Sequence, residues 1–273
     1  MSALLRIDRR IVWLIILILI FYPLIYPLGL PIHIEDLTRK YYQAIEDLQP
    51  GSLVVTTIDI EAGLWGEQGP QAIATYKHLF DKEGVKFIQV SFYRADCAVL
   101  FETMVLSEVD RTKKEYGVEW INMGYLEGKE TAMSAFAANF MYPTKDAYGT
   151  PLEQLPLMKE MKSMEDVDLF ITVQGSGYID TCLRQLPIPY DIPTVGATMS
   201  MGVPDLLTYV EAGMVYGILG GLSGAAQYEY LTGKPGLALR GLDSLSLVHI
   251  FLIALVIVIN IVYISTRSSG GRA

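Results

Sequence analysis

Apolar and polar positions follow three regimes along the chain. Residues 11–32 and residues 244–266 hold no charged side chain. Each run is long enough to cross a hydrocarbon core of about 30 Å at about 1.5 Å per residue, so each predicts a transmembrane helix. A buried helix of a soluble protein is usually shorter and carries a polar stripe. Over 33–48 the apolar residues Leu37, Tyr41, Ala44 and Leu48 recur at helical spacing. This predicts an amphipathic connector, which Gln49, Pro50 and Gly51 end.

The third regime covers 49–243. Runs rich in β-branched residues predict strands at 53–60, 85–92, 118–125, 167–173 and 193–198, with a sixth at 214–219. Helical patterns fall between them, at 70–82 with Pro70 in the first turn, at 95–116 closed by Gly117, at 131–141, at 155–161, at 179–185, at 205–211 and from 225 to 231. Strand–helix alternation at this spacing requires right-handed crossovers, and hence a mostly parallel sheet covered on both faces. The predicted class is a three-layer, Rossmann-like α/β domain with one transmembrane helix at each end. The chain divides into a head (1–10), span 1 (11–32), connector (33–48), α/β domain (49–243), span 2 (244–266) and tail (267–273).

Charge adds an orientation. The head and the tail carry +2 each, so of the net charge of -9 the middle of the chain carries about -13. The positive-inside rule then predicts both termini in the cytoplasm and the domain outside, although Arg39, Lys40, Lys234 and Arg240 flank the spans on the domain side. An acidic domain argues against nucleic acid as a partner. Arg6, Arg9 and Arg10 before the first run would suit a signal peptide, but no small-x-small cleavage site follows, so the run reads as a retained anchor in a cell membrane. Cys97 and Cys182 fall inside predicted helices, far apart in sequence, and read as two buried free thiols. His249 and Asn260 lie inside the second span and predict contact with another helix, in this chain or in a second subunit.

Ligands of open parallel sheets sit beyond the carboxyl ends of the strands. The candidate ligand-binding residues are therefore Asp59 and Glu61 after the first strand, Gln174, Gly175, Ser176 and Gly177 after the fourth, Thr198 and Ser200 after the fifth, and Gly221 and Ser223 after the sixth. Glycine there lets a backbone approach a ligand, and a following helix start offers free N–H groups; the same glycines also serve merely to turn the chain. Gln174-Gly175-Ser176-Gly177 lacks the third glycine of a dinucleotide fingerprint and follows the wrong strand, so no nucleotide cofactor is expected. Asp59 and Glu61 could bind a cation or do acid–base work. The three histidines, His33, His78 and His249, lie away from strand ends, and there is no Gly-x-Ser-x-Gly elbow. Neither a zinc site nor a Ser-His-Asp site is expected, and no metal or cofactor is predicted.

Several segments carry a resemblance: Arg6-Ile7-Asp8-Arg9-Arg10; Pro27-Leu28-Gly29-Leu30-Pro31-Ile32; Tyr148-Gly149-Thr150-Pro151-Leu152; the run from Leu219 through Gly220, Gly221, Leu222 and Ser223 to Glu229; Gly233-Lys234-Pro235-Gly236; and Arg240-Gly241-Leu242-Asp243. In these the chain resembles an uncharacterised family of bacterial and archaeal membrane proteins in which two terminal spans flank an α/β domain. The resemblance implies the topology and brings no site residues. Three functions follow from the residues. The first is a membrane-anchored binding or assembly module, partnered by copies of itself or another membrane protein. The second is an extracytoplasmic domain that senses a small-molecule ligand at the Gly/Ser-rich strand ends. The third is a hydrolase or transferase centred on Asp59 and Glu61.

Overall fold

The computed structural model describes residues 8–270, with the side chains of 176 and 266–270 excepted. Of the head and tail charges behind the expected orientation, Arg6 and Arg272 lie outside these residues. Two compact units form, 32–238 and the paired terminal segments 1–31 and 239–273.

In the larger unit the strands are β1 (Leu53–Asp59), β2 (Lys86–Ser91), β3 (Trp120–Tyr125), β4 (Leu169–Gln174), β5 (Thr194–Thr198) and β6 (Gly217–Gly220). All pair in parallel in the order β3-β2-β1-β4-β5-β6. The chain thus winds outward from β1 in one direction and from β4 in the other. All six strands coincide with predicted ones. Continuous burial is what makes them legible, since a strand covered on both faces has no polar alternation.

The helices are α1 (Arg9–Ile25), α2 (Asp36–Glu46), α3 (Trp65–Asp81), α4 (Ala95–Leu100), α5 (Glu130–Ala138), α6 (Ser176–Gln185), α7 (Val203–Glu211), α8 (Gly221–Leu231) and α9 (Leu237–Gly270). Against one face of the sheet pack α2, α3 and α8, with Tyr41, Tyr76, Phe80 and Tyr228 meeting Ile58, Phe87 and Val195. Against the other face pack α5 and α6, with Phe136, Phe140 and Leu186 meeting Val55, Val90 and Phe170, while Leu206 of α7 meets Ile218. Helix α2 lies so close over the face of β6 that a Cβ on Gly217 would stand 2.2 Å from the Tyr41 nitrogen.

Three predicted helices depart from the sequence expectation. Helix α3 begins at Trp65 and takes Pro70 into its interior, where the predicted helix began. Proline there donates nothing to the carbonyl four residues back, and a glycine, Gly66, holds that position. The predicted helix 95–116 stops being regular at Leu100, passes through a π turn (Phe101–Val105) and a 3-10 turn (Leu106–Glu108), and ends. Asp110 accepts from the N–H and the hydroxyl of Thr112, a local bond that competes with helix. Lys114 turns inward, and its ammonium donates to the carbonyls of Lys82 and Val85. The 155–161 helix is a pair of 3-10 turns, Leu152–Gln154 and Pro156–Lys159.

In the smaller unit the helices differ in bounds from the two predicted runs. Helix α1 has 17 residues and ends at Ile25, because the residue before Pro27 resists helical geometry and Gly29 takes a φ of +62°. Helix α9 starts at Leu237, ahead of 244, taking Arg240 and Asp243 into its first turns. Asp243 is tolerated there because its carboxylate accepts the N–H groups of Leu28, Gly29 and Leu30 at 2.9, 3.0 and 3.2 Å. One turn position on, the Ser244 hydroxyl donates to the Ile20 carbonyl at 2.8 Å. Among the described residues one helix, over Leu237–Ser265, is long and apolar enough to span a membrane, and α1 falls short of that length.

Candidate functional site

The reversal of strand order lies between β1 and β4, where the loops after the two strands part and leave a crevice. Asp59 is the last residue of β1 and Gln174 the last of β4, and the two stand in register. Alternation along β1 puts the side chains of Thr57 and Asp59 on one face. That face carries a buried polar lane. Thr57 Oγ1 donates to Thr172 Oγ1 at 2.9 Å, and Gln174 Nε2 donates to Thr57 Oγ1 at 3.1 Å.

A cavity of about 260 Å3 opens here, lined by Asp59, Glu61, Leu64, Tyr93, Gly175, Gly177, Tyr178 and Met199. Asp59 is only 3% exposed. Its Oδ1 accepts the N–H groups of Phe92 and Tyr93 at 2.9 and 3.0 Å, whereas the nearest donor to Oδ2 is Gln174 Nε2 at 3.4 Å. Burial pushes the Asp59 carboxyl up to about 7, against the pull of the two N–H groups. Three neighbours feel its charge. Burial first, and Asp59 second, push the thiols of Cys97 and Cys182 and the phenol of Tyr178 each up to about 12. Both cysteines are buried and free.

On the outer wall, Tyr93 faces Glu61, whose hydrogen bond and charge hold the Tyr93 phenol above its usual range. The rings of Tyr93 and Tyr178 approach to 5.0 Å between centroids. Arg94 is occupied at the rim, 2.9 Å from Asp96 and 4.0 Å from Glu61. Gly175 precedes the first turn of α6 and no side chain caps that turn. Two buried oxygens of this region, Gln174 Oε1 and the Tyr178 hydroxyl, have no hydrogen-bond partner. Such orphans are rare in folded interiors and call for an explanation.

The ten candidate residues therefore separate. Asp59, Glu61, Gly175 and Gly177 line one cavity, with Gln174 beside Asp59. Ser176 lies between the two glycines, and its side chain is outside the described residues. Thr198, Ser200, Gly221 and Ser223 gather at the ends of β5 and β6, where α3 closes the sheet. Gln71 Nε2 donates to the carbonyls of Thr198, Leu219 and Gly221 at 2.9, 3.1 and 3.0 Å. Glu67 accepts from the N–H and hydroxyl of Ser200 at 2.9 and 3.0 Å. Gly221, at a φ of +56°, has no room for a Cβ beside Ser200 Oγ. Ser223 Oγ accepts from Gln227 Nε2 at 3.2 Å. The bonds seen at these four lie within the fold, and the Thr198 hydroxyl is buried without a hydrogen-bond partner.

Sequence reasoning did not select Leu64, Tyr93, Tyr178 or Met199 as lining residues. Tyr93 and Met199 follow directly on strand ends, which is the signal that selected Asp59. Tyr178 lies three residues beyond Gly175, hence on the same side of α6. Among the described residues no group of three or more His, Cys, Asp or Glu is placed to hold a metal ion. No family model, curated protein or solved structure matches the chain.

Proposed function

We propose that this chain is a membrane-anchored binding protein whose α/β domain takes a small polar ligand in the crevice between β1 and β4. Asp59 carries the reading. A carboxyl group that is 3% exposed, with one oxygen facing only a 3.4 Å contact, costs the fold stability. Perturbed groups of this kind concentrate in clefts that bind or react. The place is where doubly wound sheets take their ligands.

The anchor in this proposal consists of both terminal runs. Helix α9 supplies one crossing. Helix α1 supplies the other, with Pro27–Pro31 extending its reach, and the Asp243 bonds to Leu28, Gly29 and Leu30 support the two as a pair in one membrane. Both termini are cytoplasmic and the domain is extracytoplasmic, as the charge asymmetry predicts. On the assembly reading, the Asn260 amide already donates one bond to the Val256 carbonyl of its own helix at 2.8 Å, and its remaining N–H and oxygen are what a second helix would meet. A nucleophile at Asp59 other than the carboxyl itself is not favoured, since burial keeps both nearby thiols protonated.

Thermal denaturation of the full chain in detergent, against a panel of small polar metabolites, tests this. At least one compound is expected to raise Tm in the wild type and none in Gly177→Phe. Gly177 lines the cavity and a Cβ there meets no atom within 4 Å, so the larger side chain is expected to obstruct the crevice, with an unchanged circular dichroism spectrum as the check on folding. Equal stabilisation of both proteins would exclude the crevice.

A further inference from the structure

The lining of the β1–β4 cavity restricts the chemistry of what it can hold. Both charged residues that line it, Asp59 and Glu61, are acidic. The nearest cation, Arg94, is already held by Asp96 at 2.9 Å. Asp59 Oδ1 is saturated by two N–H groups, so the acceptor left over is Oδ2. Beside it Gln174, which is 0% exposed, has an unpartnered Oε1, and the Tyr178 hydroxyl is buried without a partner. The unfilled capacity is thus mostly acceptor, set among two aromatic rings. An ammonium group has three donors and no acceptor, and it is attracted to ring faces. An anion alone would meet two carboxyl groups, with Arg94 at the rim shared between Asp96 and Glu61.

The opposite wall has the reverse character. Gly175 and Gly177 belong to the start of the ten-residue helix α6, whose first-turn N–H groups have no side-chain cap. That end of a helix repels a cation and attracts an anion. One small molecule satisfies both walls if it carries an ammonium at one end and a carboxylate at the other. The volume of about 260 Å3 lies below the usual range for drug-sized ligands and holds only a small one.

We infer that the ligand is a small zwitterionic amino acid, with its ammonium between Asp59 and Glu61 against Tyr93 and its carboxylate at the N-terminus of α6. The inference rests on the crevice being a ligand site and specifies what that site takes. The groups facing Asp59 from the packed elements are Cys97 of α4 and Cys182 and Tyr178 of α6. All three are held protonated, so Asp59 alone among them changes charge near neutrality. Binding an ammonium then requires the ionised carboxylate. Affinity rises with pH up to about pH 7, as Asp59 ionises beside Glu61, and levels off above.

The test is titration calorimetry of the full chain in detergent with L-alanine and L-serine, and with ethylamine and propionate as half-molecules. The amino acids are expected to bind at least tenfold more tightly than either half-molecule, with the stated pH profile. Asp59→Asn is expected to lose at least tenfold in affinity and to flatten the profile while keeping the wild-type circular dichroism spectrum. Propionate binding as tightly as alanine, or unchanged alanine binding in Asp59→Asn, would overturn the inference. If the amino acids fail but another metabolite stabilises the wild type and not Gly177→Phe, the inference falls and the ligand site stands. If no compound does so, both fall.

Discussion

Asp59 shows how one residue ties stability to function. Its folded carboxyl titrates at about 7 and its unfolded one at 3.8. Between those values the unfolded state releases its proton first, so stability falls as pH rises from about 4 to about 7 and is flat above. The total cost is on the order of 4 kcal/mol. Asparagine keeps the acceptor for Phe92 and Tyr93 and has no charge to bury. Asp59→Asn is therefore expected to melt at a higher temperature than the wild type at pH 8, with the gap closing towards pH 4. A constant gap across that range would show that the carboxyl is not strained by burial. Lys114 is the opposite case, a buried cation that pays its way by satisfying two carbonyls. Lys114→Met removes the ammonium from both carbonyls and leaves that of Lys82 only the Val85 N–H at 3.4 Å, and urea denaturation should show a loss of about 1–3 kcal/mol.

At the scale of elements, the sequence was informative where burial is continuous and misleading where polar residues decide. The six strands could be read because each is a β-branched run covered on both faces. The helix expected at 95–116 could not be read correctly, because its outcome depends on Asp110 bonding Thr112 and on Lys114 reaching carbonyls some thirty residues back, neither of which leaves a periodic trace. The same holds for the site. Asp59, Glu61, Gly175 and Gly177 were legible from strand ends alone. Whether Thr198 and Gly221 were free or closed depended on Gln71, a residue of a different helix. Helix α2 makes a sharp prediction at this scale. Gly217→Ala places a methyl group against the backbone of Tyr41, so α2 has to move off the face of β6. We expect a loss of several kcal/mol or failure to fold, of the size seen for overpacked cores. Gly63→Ala meets no atom within 4 Å and should be close to neutral by the same assay.

For the whole molecule, the two compact units are held together differently. The terminal unit is held together by polar bonds at Asp243 and Ser244, and the domain by two apolar layers around the sheet. If the two runs both cross the membrane, a C-terminal epitope tag is reached by antibody only after cells are permeabilised, while protease added outside cleaves the exposed segment near Tyr148 in intact cells. Antibody reaching the tag from outside would reverse the orientation or remove one crossing.

The central claim, that the crevice between β1 and β4 is where this protein meets its ligand, is tested most directly by hydrogen–deuterium exchange with and without the compound that stabilises the wild type. Added protection is predicted in the segments around Asp59–Leu64, Phe92–Tyr93 and Gly175–Tyr178, and in no others. Protection centred on the closed ends of β5 and β6, around Ser200 and Gly221, would contradict it.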